Sequence, residues 1–258
     1  MNKYSYIKIR LKNKLSEFIG IDFFKRKANY HYVPDIYGKS SYKMRDIRDD
    51  KFFYKYSSQV VNNKTTYLYF DRLYIIYQCI KHIRKLFYSD TNIEFVEVGV
   101  YKGGSSYFIA NIAKHFFNEN IFLSCVDTFE GHQEIDLING LDSDHGQGTF
   151  IDTSYETVKN YLSTFNFVQI TKGRIQENTE IFNDKKIHFI HLDMDIYEPT
   201  IFSLKFFDKI LVKNGIILLD DFGFNSCPGV EKAINNFDQS NYFSVAIDTG
   251  QFLMIKLN

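Results

Sequence analysis

The sequence predicts an α/β protein with a Rossmann-like sheet, mostly parallel, that closes on an antiparallel hairpin and carries a basic helical N-terminal extension. Three observations predict it. From residue 91 onward, short apolar runs alternate with helical stretches, the pattern of βαβ units and a parallel sheet. The last two runs, 242–247 and 251–257, flank Asp248-Thr249-Gly250, and strands joined by so tight a turn pair antiparallel. Charge divides the chain: residues 1–90 hold 19 Lys/Arg and 8 Asp/Glu, a net of +11, which the remainder cancels to a total of zero.

The elements follow in order. Over residues 1–27, Tyr4, Ile7, Leu11, Leu15 and Phe18 recur at steps of three and four, which is helical, and Lys3, Lys8, Arg10, Lys12 and Lys14 fill the other face. Such a helix packs on its own domain or on a dimer partner, in preference to anionic lipid. Residues 28–56 lack periodicity and read as loop. One helix is expected over 64–88, with Leu68, Tyr69, Leu73, Ile76, Ile80 and Ile83 on its apolar face. The division into two parts then falls at 1–63, a basic arm or lid, and 64–258, the sheet domain. Strands are expected at 93–98, 121–126, 167–171, 187–192 and 215–219, and helices near 104–117, 152–165, 174–183, 199–212 and 228–238. Thr153 and Glu156 form a capping-box signature, and Pro199 and Pro228 suit helix starts.

Composition bounds the function. With 45% hydrophobic and 24% charged residues in 258, the chain is globular rather than disordered. No apolar run reaches the ~18 residues of a membrane span, and no charged-then-apolar leader opens the sequence. Cys79, Cys125 and Cys227 are odd in number and have no metal-site spacing, so a reducing cytoplasm is the expected compartment.

Two motifs carry chemistry. Glu97-Val98-Gly99-Val100-Tyr101-Lys102-Gly103-Gly104-Ser105 links the first strand to a helix, where glycines admit a ligand close to the backbone and the helix start offers unpaired N–H groups. Asp127 ends the second strand and can accept bonds from both hydroxyls of a ribose, a nucleoside-binding arrangement. The spacing G-x-x-x-G-G differs from the dinucleotide fingerprint. The second motif gathers Asp193 and Asp195 after the fourth strand with Asp220 and Asp221 after the fifth. Four carboxylates at neighbouring strand ends repel one another, and oxygen-only ligation selects a hard divalent ion: Mg²⁺ first, with Mn²⁺, Fe²⁺ or Ca²⁺ also accommodated.

In these residues the sequence resembles the class I S-adenosylmethionine-dependent methyltransferases, and more closely the metal-dependent macrocin and noviose sugar O-methyltransferase family. The resemblance covers roughly residues 65–258 through EVGVYKGGS, VDTFEG, HGQGTF, KGRIQENT, HLDMDIYEPT, LLDDFG and PGVEKAINNF in order. It implies strand order 3-2-1-4-5-7-6. It implies Glu97, Gly99, Gly103 and Ser105 around the methionine end of S-adenosylmethionine, with Asp193 beside them. Asp127 then holds the ribose, Thr128 and Phe129 lie near the adenine, and Gly173 and Arg174 on its other side. Asp193, Asp220 and Asp221 match the metal triad, and Asp195 the general base, with His191 as its competitor. The products are S-adenosylhomocysteine and a methylated sugar.

The expected acceptor is a sugar or nucleotide-activated hexose or heptose for a surface polysaccharide, with a natural-product sugar as alternative. A homodimer through the N-terminal region is expected, and neither a nucleic-acid substrate nor membrane contact is. His132 and His145 read as exposed loop histidines, with a place lining the acceptor site as the alternative. The rival reading is a glycosyltransferase using Asp193-Met194-Asp195 as a D-x-D motif.

Overall fold

The computed structural model describes residues 46–258 apart from residue 119. The helix expected over 1–27 and most of the loop expected over 28–56 lie outside the described residues.

A compact unit spans Ile47–Asn258 and takes in residues 47–63, expected in the arm. The reason is a helix inside the supposed loop. Helix α1 (Lys51–Asn62) starts at Asp50, whose side chain accepts the Phe53 N–H at 3.1 Å. It buries Phe53, Ser57 and Val60, a helical stripe of steps four and three. Ser57 disguises that stripe as polar, but its hydroxyl donates to the Phe53 carbonyl at 2.9 Å and needs no water. Helix α2 (Phe70–Leu86) starts later than expected, with Tyr69 exposed at its cap, and buries Leu73, Ile76, Ile80 and Ile83 as the periodicity requires. The Phe53 ring packs on Tyr74 and Tyr77 of α2 and on Phe108, at centroid distances of 5.0, 5.6 and 5.9 Å.

Seven strands follow: β1 (Ile93–Val98), β2 (Ile121–Asp127), β3 (Val168–Lys172), β4 (Ile187–Leu192), β5 (Leu211–Leu219), β6 (Tyr242–Ile247) and β7 (Gln251–Lys256). They form one sheet in the order 3-2-1-4-5-7-6, as expected. β1 to β5 pair in parallel, and β7 runs antiparallel to β5 and β6. The remaining helices are α3 (Gly104–Phe117), α4 (Tyr155–Leu162), α5 (Tyr197–Phe207) and α6 (Pro228–Asn236), the last with its proline in the first turn. Two departures are local. The stretch 174–183 forms two 3₁₀ turns in place of a helix. Ser154, rather than Thr153, caps α4 by accepting the Thr157 N–H, while Thr153 donates to the Tyr101 carbonyl.

Side chains alternate across the sheet with period two. Phe95, Leu123, Phe189, Ile216 and Leu218 face one core with α1 to α4. Val96, Val98, Val126, Ile190, Leu192, Ile217 and Leu219 face the other with α5 and α6. Among the described residues, no helix is long and apolar enough to cross a membrane.

Because Phe53 is fully buried, Phe53→Ala is expected to destabilise the whole unit by ~3–5 kcal/mol in denaturant unfolding. A midpoint unchanged from the parent would return α1 to a separable arm.

Candidate active site

A cleft of about 330 Å³ opens at the carboxyl ends of β1, β2, β4 and β5, where open α/β sheets bind ligands. Of the residues expected around the cofactor, Gly99, Ser105, Asp127, Thr128, Gly173, Arg174 and Asp193 line it, and so do Asp195 and Asp221.

The turn after β1 shapes one wall. Gly99 has φ +88°, and a Cβ there would lie 1.7 Å from the Asp193 carbonyl oxygen. Only glycine lets this turn lie against the exit of β4, where the Asp193 N–H bonds the Val98 carbonyl at 2.9 Å. Asp127 pins the same turn: its carboxylate accepts N–H groups of Val100 and Tyr101 at 2.6 and 2.9 Å and of Phe129 at 2.6 Å. Burial raises its carboxyl above the ordinary value despite those three bonds, with Glu97 adding repulsion. Three of about four acceptor directions are therefore occupied by backbone. Asp127 holds the glycine turn first, and has about one direction left for a ribose.

Five predicted residues lie off the cleft wall. Glu97 is fully buried beneath it, accepting from His191 Nδ1 at 2.9 Å and from the Ser106 hydroxyl. The pair is set by sheet register, since Glu97 and His191 are direct β1–β4 neighbours. His191 is fully buried, with Nδ1 turned to Glu97, and does not line the cleft, whereas the competing base candidate Asp195 does. Gly103 caps α3 in the left-handed region and packs against Val158. Phe129 belongs to the core and meets Tyr155 edge-on. Asp220 is buried just behind the wall. Arg174 does line the cleft, but its guanidinium is committed to Asp136 through two bonds and to Glu177.

The carboxylates converge as the strand ends require. One oxygen from each of Asp193, Asp220 and Asp221 lies within 4.8 Å of the others. Asp195 and Asp221 adopt φ of +63° and +65°, strain of ~1–3 kcal/mol each that packing must hold in place. Burial, then repulsion from the neighbouring aspartates, pushes the Asp193 and Asp195 carboxyls well above the ordinary range and Asp220 up to about 7.

Sequence reasoning missed Arg72. It reaches from α2 to ion-pair with Asp220, lies 3.7 Å from Asp221, and donates to the Tyr67 carbonyl at 2.8 Å. Burial lowers its basicity, but Asp220, Asp193 and Asp221 outweigh that and hold it above the ordinary value. This cation lies 25 residues before Glu97, the start of the nearest motif, and gave no sequence signal. Also unforeseen is an aromatic wall, with Tyr67 stacked on Tyr101 at 5.3 Å and Phe150 edge-on to Tyr101. His132 and His145 are not exposed: the His132 side chain is 10% accessible and His145 is half-buried. Burial and His145 lower the His132 imidazole to about 4, so it is neutral at physiological pH.

The sheet order, the glycine turn after β1 and the acid ending β2 define a class I S-adenosylmethionine-dependent methyltransferase. The family described as Macrocin-O-methyltransferase (TylF) matches residues 64–249, and the chain belongs to that family. No curated protein matches the sequence. Among solved structures, the O-methyltransferase NovP aligns at 19% identity over 75% of this chain and 82% of its own, with a TM-score of 0.66. The calicheamicin methyltransferase CalS11 aligns at 15% identity over 84% and 99%, with a TM-score of 0.59. At such identities these likenesses establish the fold. The glycosyltransferase reading falls with this sheet order and this family.

Two outcomes are expected. Asp127→Ala strands buried N–H groups, so it should cost ~1–3 kcal/mol of stability as well as cofactor affinity. Calorimetric loss of S-adenosylhomocysteine binding with unchanged melting would show that the carboxylate serves the ligand alone. The second concerns pH. The Asp220 carboxyl titrates near 3.8 when unperturbed and near 7 in the fold. Its contribution to stability is therefore present below the lower value and lost as pH rises through the upper. Cation binding needs the deprotonated form, so Mg²⁺ should raise the melting temperature more at about pH 8 than at about pH 5.5. An equal rise at both would refute the assignment.

Proposed function

We propose that the protein moves a methyl group from S-adenosylmethionine to a hydroxyl of a sugar with the help of a divalent metal. The proposed acceptor is a nucleotide-activated hexose or heptose for a surface polysaccharide. The observation that carries this reading is the gathering of four aspartates at two adjacent strand ends with, among the described residues, one arginine beside them.

The residues fit a metal ion. Asp220 Oδ1 and Asp221 Oδ2 are buried without a hydrogen-bond partner among the described residues, a cost of ~1–3 kcal/mol or more per group. Asp193, Asp220 and Asp221 would hold a hard cation of the Mg²⁺ kind through oxygen alone. When bound, such an ion supplies Lewis-acid polarisation of the acceptor hydroxyl. The protein's own residues do the rest. Gly99, Ser105 and Asp127 shape the wall that seats the donor. Asp195, on the cleft wall, takes the acceptor's proton, and its raised basicity suits that task. Tyr67, Tyr101 and Phe150 offer flat faces to the apolar face of a sugar ring or to a nucleobase.

The apo structure of CalS11 is described as that of a TDP-rhamnose 3'-O-methyltransferase, which supports a nucleotide sugar as the class of acceptor.

Chelation should abolish turnover and Mg²⁺, Mn²⁺ or Fe²⁺ restore it, while S-adenosylhomocysteine binding persists. Full activity of stripped enzyme would sink the metal's role. Asp193→Asn should lose metal and activity together. Asp195→Asn should keep both ligands but lose ~10²–10⁴-fold in kcat, and normal turnover by this variant would remove Asp195 as the base. A methyl-transfer screen over nucleotide sugars tests the acceptor.

A further inference from the structure

Beside the oxygen triad, a second group of side chains with softer chemistry meets at the cleft. One ligand atom from each of His145, Asp195 and Cys227 lies within 4.8 Å of the others. Cys227 Sγ is 3.5 Å from His145 Nε2 and 3.8 Å from Asp195 Oδ1. Metal–ligand bonds of about 2.0–2.3 Å imply tetrahedral edges of about 3.3–3.7 Å, close to both separations. An independent observation points to a fourth donor. His132 Nε2 is buried with no hydrogen-bond partner among the described residues, on a side chain only 10% accessible, and it lies 3.7 Å from Asp195 Oδ2.

The fold builds this group deliberately out of three distant segments. His132 and His145 sit in the loop between β2 and α4. That loop is clasped by His132 N–H to the Thr149 carbonyl and Gly148 N–H to the His132 carbonyl, at 3.0 and 2.9 Å. Asp142 then ties it to the rest: its carboxylate accepts the Ile138 and Tyr197 N–H groups at 3.0 and 3.3 Å. It also packs so close to Gly229 that a Cβ there would stand 2.2 Å away. This brings His145 against Cys227, the residue that caps α6.

We propose that His145, Asp195 and Cys227, with His132 as fourth donor, form a second divalent-cation site that takes a thiophilic ion of the Zn²⁺ kind. Thiolate and imidazole donors select such an ion, whereas the all-oxygen triad selects a hard one. Charge favours it as well. Among the described residues four aspartates face one arginine, so a single dication in the triad leaves one negative charge. A second dication, binding as the Cys227 thiol releases its proton to solvent, brings the count to zero. The site stands apart from the methyl-transfer reading, but its consequence rests on that reading: an ion on the Asp195 carboxylate blocks proton uptake and holds the transferase off.

The test is a titration of the full-length, metal-stripped protein with Co²⁺ under anaerobic conditions, with Mg²⁺ present to fill the triad. A thiolate-to-cobalt charge-transfer band should grow to one equivalent and be bleached by Zn²⁺. It should vanish in Cys227→Ser, weaken in His145→Ala and persist in Asp220→Asn. Absence of the band in the parent protein, or its survival in Cys227→Ser, overturns the proposal. Methyl transfer plays no part in this readout, so inactivity toward every sugar would count against the proposed function and leave the second site standing.

Discussion

Burial of like charge is the constraint on which the rest of this structure depends. Asp193, Asp195, Asp220 and Asp221 are held at the ends of β4 and β5 by pairing that fixes Leu192 beside Leu219. Isolated buried carboxylates of this kind either protonate or acquire a counter-ion. Here the described chain supplies one arginine, delivered from α2. The arginine from α2, the strained backbone at Asp195 and Asp221, and the unpaired oxygens of Asp220 and Asp221 accompany a site whose charge the described residues do not balance.

The scaffold that bears this load was largely legible in advance, for a physical reason. Strand runs such as IEFVEV and IHFIHL are buried almost throughout, so they appear as short, mainly apolar stretches, interrupted only by Glu94, Glu97, His188 and His191, that match β1 and β4 residue for residue. The antiparallel hairpin was equally plain, because Asp248-Thr249-Gly250 separates two such runs. Helices bordering polar loops were less legible. Helix α1 escaped notice because its buried stripe includes a serine satisfied within the helix, and α4 starts one residue later than its Thr-x-x-Glu signature because Thr153 bonds the Tyr101 backbone instead.

The site divides along the same line. Positions fixed by strand ends, namely Gly99, Asp127, Asp193, Asp195, Asp220 and Asp221, stood out because a sheet's carboxyl edge is predictable from its strands. Positions fixed by tertiary approach did not. Cys227 shows no metal spacing in sequence, since its neighbours in space lie 82 and 32 residues away. Glu97 is expected around the cofactor, and His191 as a competing base or, more often for a lone strand-end histidine, a packing residue. Alternation across the strands sends them into the core shared with Phe95 and Phe189, where Ser106 of α3 joins them.

That internal pair bears on how the chain finds its fold. Parallel strands brought together from 94 residues apart form slowly and can align out of step. A one-residue slip between β1 and β4 would turn Glu97 and His191 to opposite sides of the sheet, each stranded in hydrocarbon. Two apolar residues in their place would tolerate the slipped alignment far better. A slipped pairing of the two central strands would leave both buried polar side chains unpaired, and so cost far more than the native register.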